Sequence, residues 1–415
     1  MNYLTSWRAG LSAFRNARVS RADVSGAFAD VGLLIPLEAS LVAVNGLNAT
    51  STLLGVGIMY VLAGWYFRIP MPVQPLKALA AIAIANQLDG DVIAAGALLM
   101  TGSLVVLAAT GAIDRLYRIV PVAVIRGIQL GLAYILVKGA ITMLGRPVTP
   151  GGTELALDFD TFNVPLMLAL APVVLIAMVV LIKKPVFPAS LAVLAVGAVV
   201  GIAAGAGELG SLRPGPQPIA FGFPGGSDFM LAATVLLAAQ LPLTIANSVI
   251  STADAGAAYF PEQRRRLTPR RLSLSIAAGN VWAGLAGGLP MCHGSGGLTA
   301  HYSFGARRPL STAIAGVTFI AIAVLFGHAG LSLRHIIPLP FFGLLLLFVG
   351  IQHARLALQV PDPSDLPFVA LAGVLAVVFD GNLAYAGTVT LAAYWLVRGY
   401  IRVWPRLAGR GVLLP

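Results

Sequence analysis

The chain of 415 residues is strongly apolar, with 58% hydrophobic and only 10% charged residues and a mean hydropathy of +0.88. Soluble domains carry about a quarter charged residues, and no polar stretch here is long enough to form one. The net charge of +11 does not indicate nucleic-acid binding, because the basic residues form short clusters between apolar segments without interleaved aromatic residues.

Fourteen apolar segments follow one another along the chain, some of them too short to cross a bilayer alone. Their approximate limits are 22–44, 49–67, 73–88, 91–111, 120–144, 163–182, 188–206, 229–252, 272–289, 293–305, 310–327, 334–350, 366–379 and 382–400. When the N-terminus is placed inside and the segments alternate, most of the 27 Lys and Arg residues fall on the cytoplasmic side. The positive-inside rule therefore predicts a multi-pass protein of the cell inner membrane with both termini cytoplasmic.

An internal repeat accompanies this pattern. Residues 61–80 (VLAGWYFRIPMPVQPLKALA) align with residues 281–300 (VWAGLAGGLPMCHGSGGLTA), and a Pro-Met pair coincides in the two copies. In the predicted topology the first copy enters from the cytoplasm and the second from outside. Seven segments followed by seven inverted segments are typical of transporters built from inverted repeats, so we expect an all-α polytopic membrane fold with two broken half-helices.

The first copy is expected to break at three prolines, Pro70, Pro72 and Pro75. Proline lacks a backbone donor and keeps the preceding residue out of helical geometry. Residues 70–73 are therefore predicted to be extended, with a helix starting near Gln74. Pro75 would then occupy the first helical position, where its missing N–H costs nothing.

The second copy is expected to break after Pro290, and a helix is expected to open with four small residues that include a good N-cap serine. These residues are Gly294, Ser295, Gly296 and Gly297. A helix N-terminus carries roughly half a positive charge and binds anions. Two such ends and Lys77 would supply about two positive charges, which suits a doubly charged oxyanion. The alternative is that the prolines only kink packed helices.

Ionisable and polar residues inside the spans are further candidates. Asp30 and Asp254 are candidates for coupling, or they only cap helix ends. Glu38 is either a proton carrier or the ion-pair partner of Lys77. A polar stripe in the eighth segment either faces the cavity or bonds to a neighbouring helix; it comprises Gln240, Thr244, Asn247 and Ser248.

Enzyme and cofactor chemistry have little support in the sequence. HGSGG (293–297) does not match a nucleophile elbow, because His293 stands where the first glycine belongs. No phosphate-binding loop of the GxxxxGK[ST] type is present. Cys292 and His293 are adjacent but lack further metal ligands. We therefore expect neither an enzyme nor a bound metal or cofactor.

Four stretches resemble blocks of the molybdate transporter family, whose members are relatives of the SulP sulfate permeases. They are PMPVQPLKALAAIAIA (70–85), LPMCHGSGGLTAHYSFGAR (289–307), VIRGIQLG (124–131) and FADVGLLIPL (28–37). The resemblance implies a SulP/UraA-like fold with fourteen transmembrane segments, no cytoplasmic STAS domain, and an oxyanion site between segments 3 and 10. Glu38 departs from the family pattern, in which an apolar residue is expected.

The resemblance also implies a division into a core domain and a gate domain. The expected parts are a basic N-terminal segment (1–21), the first core half (22–118), the first gate half (119–206), an external loop (207–228), the second core half (229–308, with 309–327 as its last segment), and the second gate half with a basic C-terminus (328–415).

These observations predict transport of a tetrahedral dianion, molybdate first, with sulfate or tungstate as the alternative. Backbone N–H groups of the two half-helices would bind it, Lys77 would supply charge, and hydrogen bonds would come from Gln74, Ser295 and His293, with Thr244 and Asn247 nearby. A nucleobase transporter of the same architecture and an anion channel remain competing classes. The expected partners are the oxyanion and the lipid bilayer, with a homodimer allowed and no nucleic acid.

Overall fold

The computed structural model describes most of the chain. The described residues are 20–27, 31–113, 115, 121–147, 156–159, 162–165, 167, 170–174, 176, 189–203, 214–303, 305–329, 336–360 and 362–408. Asp30 and much of the predicted segment 163–182 lie outside these residues.

Helices make up most of the described chain. In chain order they are α1 (Arg21–Ala27), α2 (Val31–Asn45), α3 (Ala49–Phe67), α4 (Lys77–Ala85), α5 (Gly90–Thr110), α6 (Val122–Leu144), α7 (Ala189–Ala203), α8 (Gly226–Tyr259), α9 (Pro269–Ala286), α10 (Ser295–Ser303), α11 (Leu310–Phe326), α12 (Leu339–Ala357), α13 (Leu366–Val378) and α14 (Leu383–Ala408). Short 3₁₀ turns lie at Pro261–Gln263, Gly327–Ala329 and Pro363–Asp365.

Four of the described helices are long and apolar enough to cross a membrane by length and composition: α3, α5, α6 and α8. Shorter apolar helices of the described chain include Val193–Ala203, Leu310–Phe326, Leu339–Arg355 and Pro363–Val378. Helix α8 runs on to Tyr259, beyond the predicted end of its segment. Asp254 consequently lies inside a helix, and the prediction that it caps a helix end is wrong.

The structure also contains short strands, so the all-α prediction needs correction. β1 (Gln74–Pro75) pairs with β4 (Met291–Cys292), and β2 (Ala156–Phe159) forms an antiparallel hairpin with β3 (Phe162–Pro165). Strand β3 overlaps the expected start of the segment 163–182. The alternation of apolar and polar residues in the hairpin, as in Leu157-Asp158-Phe159, is the periodicity of a strand.

The helices pack across the two halves of the chain. α3 packs on α11, α5 packs on α9, and α6 packs on α12 and α13. In terms of the predicted segments, the contacts α3–α11, α5–α9 and α6–α12 pair 2 with 11, 4 with 9, and 5 with 12. Exchanging the two halves converts the first pair into the second and leaves the third unchanged, which is the reciprocity that an internal two-fold repeat requires.

The α3–α11 crossing depends on glycine. A Cβ on Gly57 would lie 2.6 Å from the carbonyl oxygen of Gly316, and a Cβ on Gly316 would lie 2.5 Å from that of Gly57. Two helix backbones approach this closely only when small residues occupy the crossing point.

Candidate functional site

The two breaks predicted from the repeat meet as an antiparallel strand pair. Gln74 lies opposite Cys292 and Pro75 opposite Met291, and the N–H of Leu76 donates to the carbonyl of Pro290 at 2.9 Å. Each strand leads into a short helix, α4 or α10. Because the strands are antiparallel, the two helices leave the pair in opposite directions with their N-termini close to it.

The first half-helix begins later than the sequence suggested, whereas the second begins within the predicted Gly294–Gly297 stretch. Gln74 and Pro75 lie in β1, and the first helical residue is Lys77, with Leu76 in the cap position. On the other side, the extended stretch continues past Pro290 through β4. Pairing between β1 and β4 extends both strands, and this partner lies too far away in the sequence for local propensity to reveal it.

Ser295 is the first residue of α10 rather than its N-cap. The carbonyl of Gly294 accepts from the N–H of Leu298 at 3.0 Å, so Gly294 occupies the cap position. The hydroxyl of Ser295 donates to Oδ1 of Asn247 at 2.8 Å, which ties α10 to α8. A glycine is suited to the cap position because a Cβ there would collide with the side chain of Gln74.

Asn280 on α9 fixes strand β4 with a single carboxamide. Its Nδ2 donates to the carbonyl of Met291 at 2.7 Å, and its Oδ1 accepts from the N–H of Met291 at 3.1 Å. The side chain is fully buried. Both backbone groups of Met291 are thereby satisfied at a depth where no water is expected to pair them. No sequence pattern had singled out Asn280.

His293 supports the same region and is not offered to a ligand in this conformation. Its Nδ1 lies 2.8 Å from the carbonyl oxygen of Pro72 and its Nε2 lies 3.0 Å from the hydroxyl of Ser275. The ring is fully buried and stands edge-on to Phe67. Both ring nitrogens bond within the protein, so neither is free to make the predicted hydrogen bond from His293 to an anion.

The N-terminus of α4 is partly capped by α8. Oε1 of Gln240 accepts from the N–H of Leu79 at 3.0 Å, and Nε2 of the same residue donates to the hydroxyl of Thr244 at 2.9 Å. Both side chains are buried. Gln240 thus bonds α8 to α4, as the competing interpretation held, whereas the bond of Thr244 to Gln240 lies within α8. The N–H groups of Lys77 and Ala78 have no intrahelical partner by helix geometry.

Helix α8 changes geometry where it meets the site. Its turns over Thr244–Ser251 are π-helical and follow Pro242 in the preceding turn. Proline removes a regular helical hydrogen bond, and π-helical turns are frequent at functional sites. In this segment the hydroxyl of Thr252 donates to the carbonyl of Asn247 at 3.0 Å. The wider turns present the Asn247 side chain to Ser295.

A cavity of about 540 Å³ lies in front of the two half-helix starts. Five residues that the sequence singled out line it: Lys77, Asn247, Asp254, Ser295 and Gly296. Gly296 is exposed, and a Cβ there would meet no atom within 4 Å. The backbone of α10 is therefore open to the cavity at this residue.

The opposite wall of this cavity contains residues to which sequence reasoning gave no role. They are Pro121, Val122, Ile125, Arg126 and Gln129 of the α6 region, His353 of α12, and Tyr394 and Trp395 of α14. Arg126 gave a usable signal, because an ionisable residue inside a span is a functional candidate. His353 lies beyond the predicted end of segment 334–350, so no such signal was available.

The buried carboxylate Glu38 does not pair with Lys77. Glu38 is 5% exposed, and its Oε1 has no hydrogen-bond partner in the described part of the chain. The ion pairs found among the described residues do not include it. The ion-pair alternative for Glu38 is therefore wrong for this conformation. Its helix α2 packs against α4, α7, α12 and β1.

A second cavity, of about 520 Å³, lies at the C-terminal end of α4. Asn86 and Tyr134 line it together with Lys138 and Asp380, whose charged groups are 2.5 Å apart. The two cavities thus lie at opposite ends of one half-helix.

Solved structures define the class of fold. The transmembrane domain of the cyanobacterial bicarbonate transporter BicA superposes with a TM-score of 0.63 at 17% identity, covering 88% of this chain and 97% of that one. The murine anion transporter Slc26a9 gives a TM-score of 0.63 at 14% identity, covering 96% of this chain and 72% of that one. The chain has the fold of these membrane transporters.

The family follows from sequence comparison. The family model described as "Molybdate transporter of MFS superfamily" matches residues 22–136 and 232–352, which is more than half of the chain. Molybdate transporter 2 of Arabidopsis thaliana is 29% identical over 88% of this chain and 84% of its own length. Molybdate transporter 1 of Chlamydomonas reinhardtii is 29% identical over 95% of this chain and 96% of its own length. The chain belongs to the molybdate transporter family.

Proposed function

We propose that this protein carries molybdate, a tetrahedral dianion, across the cell inner membrane by secondary transport. The observation that carries the proposal is the pair of half-helix starts beside strands β1 and β4, which face one cavity. The names of two relatives support molybdate as the substrate, since both relatives are molybdate transporters, one from a plant and one from an alga. Family membership thus agrees with the chemistry of the site.

The proposed site binds the anion through backbone N–H groups and one ammonium group. Lys77 is half-buried on the cavity wall, and Ser295 and Gly296 line the cavity at the start of α10. N–H groups of the first helical turn lack intrahelical partners, and the helix dipole favours negative charge there. The hydroxyl of Ser295 donates to Asn247 and so fixes the start of α10 from the neighbouring helix, which leaves the backbone N–H groups of α10, and not this hydroxyl, to bind the anion.

Transport proceeds in this proposal by alternating access. Residues 22–118 and 229–327 form a core that contains the site, and residues 119–206 and 328–415 form a gate. Seven segments in each half would make fourteen in total, with both termini cytoplasmic. The cavities at the two ends of α4 support this scheme, because each would serve as the route from the site to one side of the membrane.

Uptake into proteoliposomes tests this function. Wild-type protein is expected to accumulate molybdate, with a saturable rate, and Lys77→Ala and Ser295→Ala are expected to lose most of that uptake. An exposed cation that lines neither cavity provides the control, Arg146→Gln. Molybdate uptake equal to wild type in both site variants would contradict the assignment of the site.

The alternatives predict different results in the same vesicles. If sulfate or tungstate is the main substrate, that anion should displace bound molybdate at a low concentration. Molybdate should then need a higher concentration to displace that anion. An anion channel predicts current that rises without saturation. A nucleobase carrier is disfavoured by Lys77 and Gly296, where such a site would need a carboxylate.

A further inference from the structure

The cavity wall that faces the half-helices carries polar groups that the proposed anion site does not use. Arg126 and Gln129 lie on α6, and His353 lies on α12. These helices belong to the packing group of α6, α12 and α13, on the gate side of the proposed division.

The guanidinium of Arg126 has N–H donors that make no hydrogen bond within the described part of the chain. Its Nη1 donates to Oε1 of Gln129 at 3.0 Å, and its buried Nε has no hydrogen-bond partner in the described part of the chain. The ion pairs among the described residues do not include this guanidinium, although it is only half-buried. A guanidinium has five N–H donors and keeps its charge. At membrane depth such a group is costly unless an opposite charge meets it.

His353 is a second, independent indication that the cavity binds a ligand. The residue is 5% exposed and lines the cavity with Lys77, yet its Nδ1 has no hydrogen-bond partner among the described residues. A buried polar group without a partner is unfavourable. Whatever occupies the cavity is placed to satisfy this nitrogen, directly or through water.

Asp254 is the only acidic residue among the described residues that line this cavity. It is exposed, and it takes part in none of the ion pairs found within the described ranges. In this conformation the carboxylate therefore does not neutralise Arg126, and the positive charge on the gate wall remains available to an anion.

We propose that Arg126 and His353 form the gate-side half of the anion site. A doubly charged tetrahedral oxyanion is then held between Lys77 and the helix starts on one wall and the guanidinium on the other. The inference rests on the proposed function and adds a consequence. A second fixed cation strengthens binding of a dianion more than binding of a monoanion, so Arg126 contributes to selecting molybdate over singly charged anions.

Equilibrium binding of molybdate to the purified full chain in detergent tests the role of Arg126, with nitrate as the singly charged competitor. Arg126→Gln is expected to weaken molybdate binding roughly tenfold or more and to lower the ratio of molybdate to nitrate affinity. Arg126→Lys keeps the charge and is expected to retain most of that ratio. Arg146→Gln removes an exposed cation just beyond α6 and should bind as wild type does.

His353 has its own matched pair of variants. His353→Leu removes the ring nitrogens and is expected to weaken molybdate binding, whereas His353→Gln keeps a donor and an acceptor and should restore part of it. A purely structural role would make both variants less stable without this difference in affinity. Thermal unfolding without ligand separates the two effects.

Failure of this inference differs from failure of the proposed function. If wild type does not bind molybdate, both fail. If wild type binds it and Lys77→Ala does not, while Arg126→Gln and His353→Leu bind as wild type does, only the gate-side contact is overturned. Should Arg126→Gln not fold, Arg126→Met replaces it as the uncharged variant, and unchanged molybdate affinity in Arg126→Met and His353→Leu overturns the gate-side contact. If Asp254→Asn and Arg126→Gln change the uptake rate equally and leave the molybdate affinity unchanged, Arg126 forms a salt bridge with Asp254 during transport and does not bind the anion.

Discussion

Single side chains hold the irregular backbone of the site in place, and Asn280 is the clearest case. The carboxamide satisfies both backbone groups of Met291. Removing it leaves a buried donor and a buried acceptor, each costing about 1–3 kcal/mol. We expect Asn280→Ala to lower the thermal unfolding temperature markedly. The control is Thr234→Val, because Thr234 is exposed and its hydroxyl bonds to carbonyls of its own helix. Equal unfolding temperatures for the two variants would contradict the role of Asn280.

Glu38 is still a candidate proton carrier, because the ion pair with Lys77 does not form in this conformation. Its buried Oε1 has no partner in the described chain, and the residue does not line the cavity at Lys77. We expect Glu38→Gln to leave equilibrium molybdate binding within about twofold of wild type, because Glu38 does not line the cavity of the proposed site. The variant should lose the stimulation of uptake by an imposed proton gradient. Unaltered stimulation in proteoliposomes would remove Glu38 as the proton carrier.

At the start of helix α10, one glycine is expected to matter for folding and another for binding. Gly294 packs against Gln74, whereas Gly296 faces open space in the cavity. Gly294→Ala is therefore expected to disturb the junction with β1 and reduce stability. Gly296→Ala is expected to leave stability unchanged and to weaken molybdate binding, since its methyl group would enter the ligand's space. Unfolding curves and binding isotherms of both variants check this, and an unstable Gly296→Ala would contradict it.

The elements also show what local sequence can predict. Helix α3 begins and ends at the predicted residues, because Asn48 caps it through the N–H of Ser51 and the boundary signal is local. The start of α4 was misplaced, because β1 is stabilised by β4 from the other half of the chain. Local rules correctly located the break at Pro70 but not the strand pairing that extends it.

For the whole molecule, the repeat in the sequence predicted which segments meet, but not the wall opposite them. The shared Pro-Met pair indicated that the two breaks are equivalent, and the strand pair places them side by side. Arg126 and His353 reach the cavity only through the packing of α6 on α12. That contact is set by tertiary structure, and no periodicity in either helix specifies it.

Close packing of the two halves leads to a prediction about the whole fold. The α3–α11 crossing joins the first and second halves through Gly57 and Gly316. Gly316→Val should force these backbones apart and cost about 1–3 kcal/mol or more as overpacking. Its yield of monodisperse protein in size-exclusion chromatography is expected to fall. Gly102→Val provides the control, since a Cβ there meets no atom within 4 Å, and equal yields would contradict the packing argument.

In the proposed site, two half-helix starts and Lys77 hold the oxyanion within one cavity. An anomalous difference map at the molybdenum edge, from crystals grown with molybdate, tests it most directly. We expect a peak between Lys77 and the Ser295–Gly296 backbone. A strong peak elsewhere in the protein, with this cavity empty, would contradict it.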